Sequence, residues 1–194
     1  MTDPLVRETI PYTDQATWLQ ARTRDLTSTD MPALFGCSPY LTHLELWHRK
    51  RDATILAIEP NDRMKWGIRL QDSIAYGIAE EQGWTIRRMS EYVRIPSLRL
   101  GASFDYAILK SQNPEAEILE VKNVDALQYR DMWLIDGDTI EAPPHIELQI
   151  QQQLLVSAAT IAWLGALVGG NRVVLQRREA SPTIHEAIRA KSAA

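Results

Sequence analysis

Hydrophobic and polar positions follow a helical period through the first eighty residues and a strand period in the middle of the chain. Trp18 and Leu19 follow the capping residues Thr13 and Asp14, which predicts a helix running to Arg22 after an N-terminal arm of about a dozen residues. A short second helix is expected from Ser28 or Thr29, with Pro32 in its first turn and Gly36 at its end. After a turn at Ser38-Pro39-Tyr40, Thr42 caps a third helix carrying Leu44, Leu46 and Trp47. A connection over 51–60 ends at Pro60. Asn61 or Asp62 then caps a long helix whose face bears Trp66, Leu70, Ile74, Tyr76 and Ile78, and Gly83 stops it.

Trp84–Pro96 has a partial strand pattern. Leu100–Leu109 alternates, with Ala102, Phe104, Tyr106 and Ile108 on one face and Ser103 and Asp105 on the other. A turn at Ser111-Gln112-Asn113-Pro114 leads to a second strand at Ile118–Asn123, and the two strands form an antiparallel hairpin. A polar stretch with Asp136-Gly137-Asp138 follows. Pro143-Pro144 opens a buried helix expected from His145 to Leu167 and closed by Gly169-Gly170. Arg172–Arg177 is a last strand, and the remaining residues form a short helix or tail. The element order predicts an α+β (mixed α/β) fold, a central mostly antiparallel sheet flanked by helices.

Composition narrows the function. The chain of 194 residues is the size of one domain, and a hydrophobic fraction of 45% is enough for a core. No apolar run is long enough to span a bilayer, and the first residues lack the layout of a signal peptide, so the expected setting is the cytoplasm. The one cysteine, Cys37, rules out an internal disulfide framework and a cysteine-ligated iron–sulfur cluster. No phosphate-binding glycine loop and no Ser-His-Asp arrangement is present. A net charge of −4 argues against a protein that coats nucleic acid by bulk electrostatics, but not against an acidic metal site with local basic groups. Such groups are Arg22 and Arg24, the Arg49–Arg51 run, Arg63 and Lys65, and Arg87 and Arg88, each of which also fits a solvated surface.

The chemistry centres on Asp105 and on Glu120-Val121-Lys122. Alternate residues of a strand share a face, so Glu120 and Lys122 point the same way, and the hairpin brings Asp105 beside Glu120. Two carboxylates and the Val121 backbone carbonyl offer hard oxygen ligands to Mg²⁺ or Mn²⁺, and Lys122 is placed to orient a nucleophilic water. Spacing alone favours a surface ion pair across a hairpin. Against that, Glu120 is framed by Ile118, Leu119 and Val121, a poor setting for a solvated charge. The run Gln151-Gln152-Gln153 points in different directions around a helix, so of these only Gln151 or Gln153 would accompany a site-facing Gln149.

These blocks resemble a known family in a fixed order. Trp18-x-x-x-Arg22, Leu26-Thr27-Ser28-Thr29-Asp30 and Gly36-Cys37-Ser38-Pro39-Tyr40 come first, with Leu46-Trp47 and Lys50 beyond. Trp66-Gly67 with Leu70, Gly101-Ala102-Ser103-Phe104-Asp105 and Leu119-Glu120-Val121-Lys122 follow, and Pro144-His145 with Gln149-Ile150-Gln151 closes the series. Together they resemble the YqaJ-like viral recombinases, relatives of phage lambda exonuclease with the restriction-endonuclease-like PD-(D/E)XK core. The resemblance implies a metal-dependent 5′→3′ exonuclease on linear double-stranded DNA. It would release mononucleotides and leave 3′ overhangs in phage-type recombination. It further implies that Asp105 and Glu120 are metal ligands, that Lys122 positions the water, that Gln149 supports the active site, and that Arg22, Thr29 and Ser28 grip the terminal 5′ phosphate. Residues 1–60 would be a helical region for the DNA end, 61–178 the catalytic core and 179–194 a tail. A homotrimeric ring, a single-strand annealing partner and a phage or prophage origin in a bacterial cytoplasm follow from the same resemblance. One position departs from the family pattern: Gln71 stands where a glutamate is usual, with Asp72 next to it, so either Gln71 or Asp72 would be the further metal ligand. A chain silenced at that position would be an end-binding protein without catalysis, or an interaction protein built on the same fold.

Overall fold

The computed structural model describes residues 5–53, 61–109, 117–137 and 139–193. The expected connection ending at Pro60 and the turn at Ser111–Pro114 fall outside them. The N-terminal segment is not a free arm. Its strand β1 (Glu8–Pro11) pairs antiparallel with β4 (Glu91–Ile95). Helix α1 (Gln15–Arg22) is capped by Asp14, whose carboxylate accepts the Thr17 N–H at 2.8 Å. Next, β2 (Leu26–Thr27) runs into α2 (Met31–Leu34), which starts later than Ser28 or Thr29. The reason lies in Asp30. Its carboxylate accepts both the Thr27 N–H at 3.0 Å and the Thr27 hydroxyl at 2.7 Å, so residues 27–30 form a closed turn instead of a first helical turn.

Helix α3 (His43–Arg51) has the expected cap, a reciprocal Thr42–Glu45 box. Asn61 caps α4 (Asp62–Gln82), and Gly83 ends it with a φ of 65°, the left-handed conformation that favours glycine. The strand expected over Leu100–Leu109 is in fact two. β5 (Leu100–Ser103) belongs to a four-stranded sheet of order β1-β4-β5-β2, and β6 (Tyr106–Leu109) to a five-stranded one. The apolar positions alternate without interruption because each half faces a core. Ala102 and Phe104 pack in one cluster, and Tyr106 and Ile108 in another. The chain makes a matching crossing between β3 (Thr85–Arg88) and β4. The Met89 N–H donates to the Asp105 carbonyl at 3.0 Å and ties the two crossings together.

The five-stranded sheet runs β11-β10-β7-β6-β3, with β7 at Glu117–Val124. Every pair in it is antiparallel except the central one of β7 with β10. After β7 come the short α5 (Ala126–Met132) and a ribbon of β8 (Leu134–Asp136) with β9 (Thr139–Glu141), which occupy the polar stretch. The long helix expected to Leu167 ends at Ser157. α6 is Pro144–Ser157, Ala158 takes a φ of 64°, and the rest of the apolar run is strand β10 (Ile161–Val168). This strand is covered on both faces and paired on both edges, so it carries no alternation that would set it apart from a buried helix. Gly169-Gly170, both at positive φ, make the turn into β11 (Arg172–Glu179) rather than a helix end. The expected tail is helix α7 (Pro182–Ala193), anchored through buried Ile188.

The layers follow from β7. Leu119 and Val121 face α4, while Ile118 and Val124 face the large core around α6. By strand parity Glu120 and Lys122 also face α6. That helix lies between the two sheets, packing on β5 and β4 on one side and β10 on the other. Gly165 in β10 permits the close approach of α4, since a Cβ there would lie 2.4 Å from the Ile78 Cδ1. Among the described residues no helix is long and apolar enough to cross a membrane.

Candidate active site

Asp105 sits where the chain leaves one sheet for the other. The β6–β7 ladder ends at the Tyr106–Leu119 pair, so the next inward-pointing N–H, that of Val121, has no strand partner. Asp105 Oδ2 accepts it at 2.8 Å. The carbonyl of the same residue points to the same edge of the strand. Burial, reinforced by the charge of Glu120, pushes the Asp105 carboxyl up to about 7, against the pull of Lys122 and of hydrogen bonds from Val121 and the Gln71 amide.

Glu120 is 3% exposed and accepts from three donors. Lys122 Nζ and Gln149 Nε2 each donate to Oε1 at 2.5 Å, and Gln153 Nε2 donates to Oε2 at 2.7 Å. Gln149 Oε1 in turn accepts from Lys122 at 3.2 Å. Burial alone would depress the Lys122 ammonium, but Glu120 and Asp105 together hold it above its ordinary value. The sequence left Gln151 and Gln153 open as neighbours of Gln149. Residues four apart share a helix face, and Gln153 is the one that joins the site. Gln151 instead binds the Glu179 carbonyl and the Ser181 N–H.

The structure also separates Gln71 from Asp72. Gln71 reaches Asp105, while Asp72 is turned away, accepting from Arg88 Nη1 at 2.7 Å and from the Tyr106 hydroxyl. A cavity of about 530 Å³ opens over Asp105, with Gln71, Ile68, Tyr12, Trp18 and Ser103 in its wall. Among the described residues no three His, Cys, Asp or Glu side chains converge, so a cation here would draw on two carboxylates and neutral oxygens. The donor set fits a hard divalent ion: the buried Glu120 carboxylate and the half-buried Asp105 carboxylate at the cavity, beside the Val121 carbonyl and the Gln71 carboxamide.

Arg22 and Thr29 meet behind Trp18, which is itself part of that wall. Arg22 Nη2 donates to the Thr29 hydroxyl at 2.8 Å, and its guanidinium stacks 4.2 Å from the Trp18 ring centroid. Burial lowers the Arg22 pKa without removing its charge. Ser28 is buried, and Thr29 is exposed. The loop is held from behind. Lys50 Nζ donates to the carbonyls of Arg22 and Asp25 and pairs with Asp30 at 2.8 Å, and Arg94 makes two bonds to the buried Asp25. Trp18 joins the two regions by donating its indole N–H to Ser103 Oγ at 2.8 Å, two residues before Asp105.

Several groups here left little trace in the sequence. No local pattern marks Tyr12, which bonds Ser103 and feels both Asp105 and Arg22. Tyr40 stacks edge-on against His145 beside Lys122, whose charge, after burial, lowers the His145 pKa. Trp47 lies instead in a separate cavity of about 500 Å³ with Lys50, Arg99 and Lys191. The other basic candidates are largely spent on neighbours: Arg87 on Glu91, Arg88 on Asp72 and Arg51 on Asp52.

Two solved structures share this architecture. A structure described as LHK-Exo in complex with dAMP superposes with a TM-score of 0.72 at 16% identity, covering 92% of this chain and 89% of that one. A second, described as an alkaline exonuclease (LHK-Exo) from Laribacter hongkongensis, gives 0.71 at 16% identity with the same coverage. The fold is thus that of an alkaline exonuclease. No curated protein matches the chain in sequence. The profile of the YqaJ-like viral recombinase domain matches residues 17–160, and the chain belongs to that family.

Proposed function

We propose that the protein is a metal-dependent exonuclease that digests linear duplex DNA from a 5′-phosphorylated end, releasing mononucleotides and leaving 3′ overhangs. The observation that carries this reading is the chain of contacts that joins Arg22 with Thr29, through the Trp18 ring and its bond to Ser103, to the centre of Asp105, Glu120 and Lys122. Arg22 offers planar donors to a terminal phosphate, and Thr29 adds a hydroxyl, with Ser28 behind it. Asp105, Glu120 and the Val121 carbonyl, with the Gln71 amide oxygen, would hold Mg²⁺ or Mn²⁺. Such an ion supplies neutralisation of the charge that builds on the scissile phosphate. Lys122, kept charged by Glu120 and Asp105, orients the attacking water, and Gln149 fixes the Lys122 ammonium against Glu120.

Family membership supports a role in phage-type recombination within a bacterial cytoplasm, the PD-(D/E)XK reading of the core and a single-strand annealing protein as partner. Residues 1–60 then serve the DNA end, 61–178 the chemistry, and 179–194 buttress α6. A trimeric ring would retain DNA without a basic surface. Exposed Leu127, Met132, Leu134 and Ile135 on the successive elements α5 and β8 support burial against another copy.

The test uses end-labelled linear duplex with and without a 5′ phosphate, in Mg²⁺ or EDTA, beside a closed circle. Metal-dependent loss of the linear DNA, faster with the phosphate and absent on the circle, is expected. Digestion of the circle at the same rate would overturn the reading. One observation favours a second reading. The Gln71 amide already donates to Asp105, as a carboxylate there could not, so the chain would hold phosphorylated ends without cutting them. Retained end binding with no digestion, restored by Gln71→Glu, would decide for it.

A further inference from the structure

Helix α6 carries two buried carboxamides, Gln152 and Gln153, whose bonds reach from the site to the strands behind it. Gln152, 0% exposed, donates to the carbonyls of Leu26 at 2.8 Å and Gly101 at 3.1 Å, clamping the short β2 to β5. Gln153, 1% exposed, donates to the Ser103 carbonyl at 3.1 Å and to Glu120 Oε2 at 2.7 Å. Each amide spends its donors on two acceptors, so neither can be turned over without losing both bonds. The carboxamide oxygens of both are buried with no partner among the described residues. An unsatisfied acceptor in the core is unfavourable, and an apolar side chain of the same length would avoid it. The two donors are therefore what these positions require.

Their partners give the reason. Leu26 leads directly into the Thr27–Asp30 turn that presents Thr29, and Glu120 is a catalytic carboxylate. One peptide unit of a helix, a rise of about 1.5 Å, separates the two clamps. We propose that Gln152 and Gln153 are positioning residues that fix the spacing between the end-holding loop and the catalytic carboxylates, so that cleavage falls one nucleotide from the held 5′ phosphate. The inference rests on the exonuclease reading above.

Gln152→Met and Gln153→Met, in the full chain, separate the two clamps while keeping side-chain length. Mn²⁺ affinity is measured by calorimetry, and product length on a 5′-labelled phosphorylated duplex by gel. Gln153→Met is expected to weaken Mn²⁺ binding roughly 10- to 100-fold and, with Glu120 no longer tied to the Ser103 carbonyl, to release a mixture of mono- and dinucleotides. Gln152→Met is expected to bind Mn²⁺ as the parent does but to release a mixture of mono- and dinucleotides. A folded variant of either kind that matches the parent in both readouts overturns the proposal. If Gln152→Met melts below the assay temperature, the Mn²⁺ affinity of Gln153→Met decides. A parent chain that neither binds Mn²⁺ nor shortens DNA overturns the exonuclease reading, and this inference falls with it.

Discussion

The loop that presents Arg22 and Thr29 and the centre built on Asp105 and Glu120 are both made of buried charge, yet they are balanced differently. In the loop each buried carboxylate has its own cation. Asp25 is held by Arg94 and Tyr92, and Asp30 by Lys50. At the centre two carboxylates share one lysine, and burial with mutual repulsion pushes Asp105 up to about 7. The loop is thus finished on folding, while the centre stays short of one positive charge, a deficit that a cation would fill.

That contrast sets the order of what mutation should do. The largest effect belongs to the centre. Asp105→Ala should lower turnover by at least about 10³-fold with DNA-end binding kept, as read by single-turnover cleavage beside a gel-shift assay. Equal losses of both would show that the centre is structural. Next comes the loop's own balance. Asp25→Ala leaves Arg94 without its buried partner and should cost about 3–5 kcal/mol in chemical denaturation. Arg22→Ala should be milder, about 10- to 100-fold in kcat/KM on phosphorylated ends and little on unphosphorylated ones, the worth of one charge-assisted bond.

A further effect falls on metal-free stability. Asp105 titrates near 7 in the fold against an ordinary 3.8, so between those values the folded chain holds a proton that the unfolded chain has lost. Stability from this group is full below about pH 4 and is lost as pH rises through about 7. Melting in EDTA should therefore fall by about 2–4 °C for each kcal/mol so lost. Mg²⁺ should restore the difference at pH 8, and Asp105→Asn should abolish it. A melting temperature that rises with pH in EDTA would contradict the deficit at the centre.

Much of this was legible in the chain, and what was not has physical causes. The caps Asp14, Thr42, Asn61 and Gly83 stand where local chemistry puts them, because a cap depends on residues within one turn. The hairpin that brings Asp105 to Glu120 was likewise visible in alternation. Asp105 as a point of crossing between sheets was not, since Phe104 and Tyr106 keep the alternation while facing different cores. Strand β10 read as helix because its surroundings, not its own pattern, make it a strand. At the site, parity makes the Glu120–Lys122 face readable, while the choice of Gln153 over Gln151 beside Gln149 takes the docking of α6. The Tyr12–Ser103 bond and the choice between Gln71 and Asp72 depend on how α4 and the N-terminal strand dock, which no local pattern records.

The bond from Met89 N–H to the Asp105 carbonyl joins the two places where the chain passes between sheets. Asp105 therefore behaves like the pin of a hinge, owned by neither leaf. A small sliding of one sheet past the other, from a substitution far from any DNA, would move this carboxylate relative to Glu120, which is fixed within β7. Distant packing variants should then appear as defects in ion binding before they appear as loss of fold, so tolerance to mutation in this protein would follow the alignment of its sheets more closely than the distance from its chemistry.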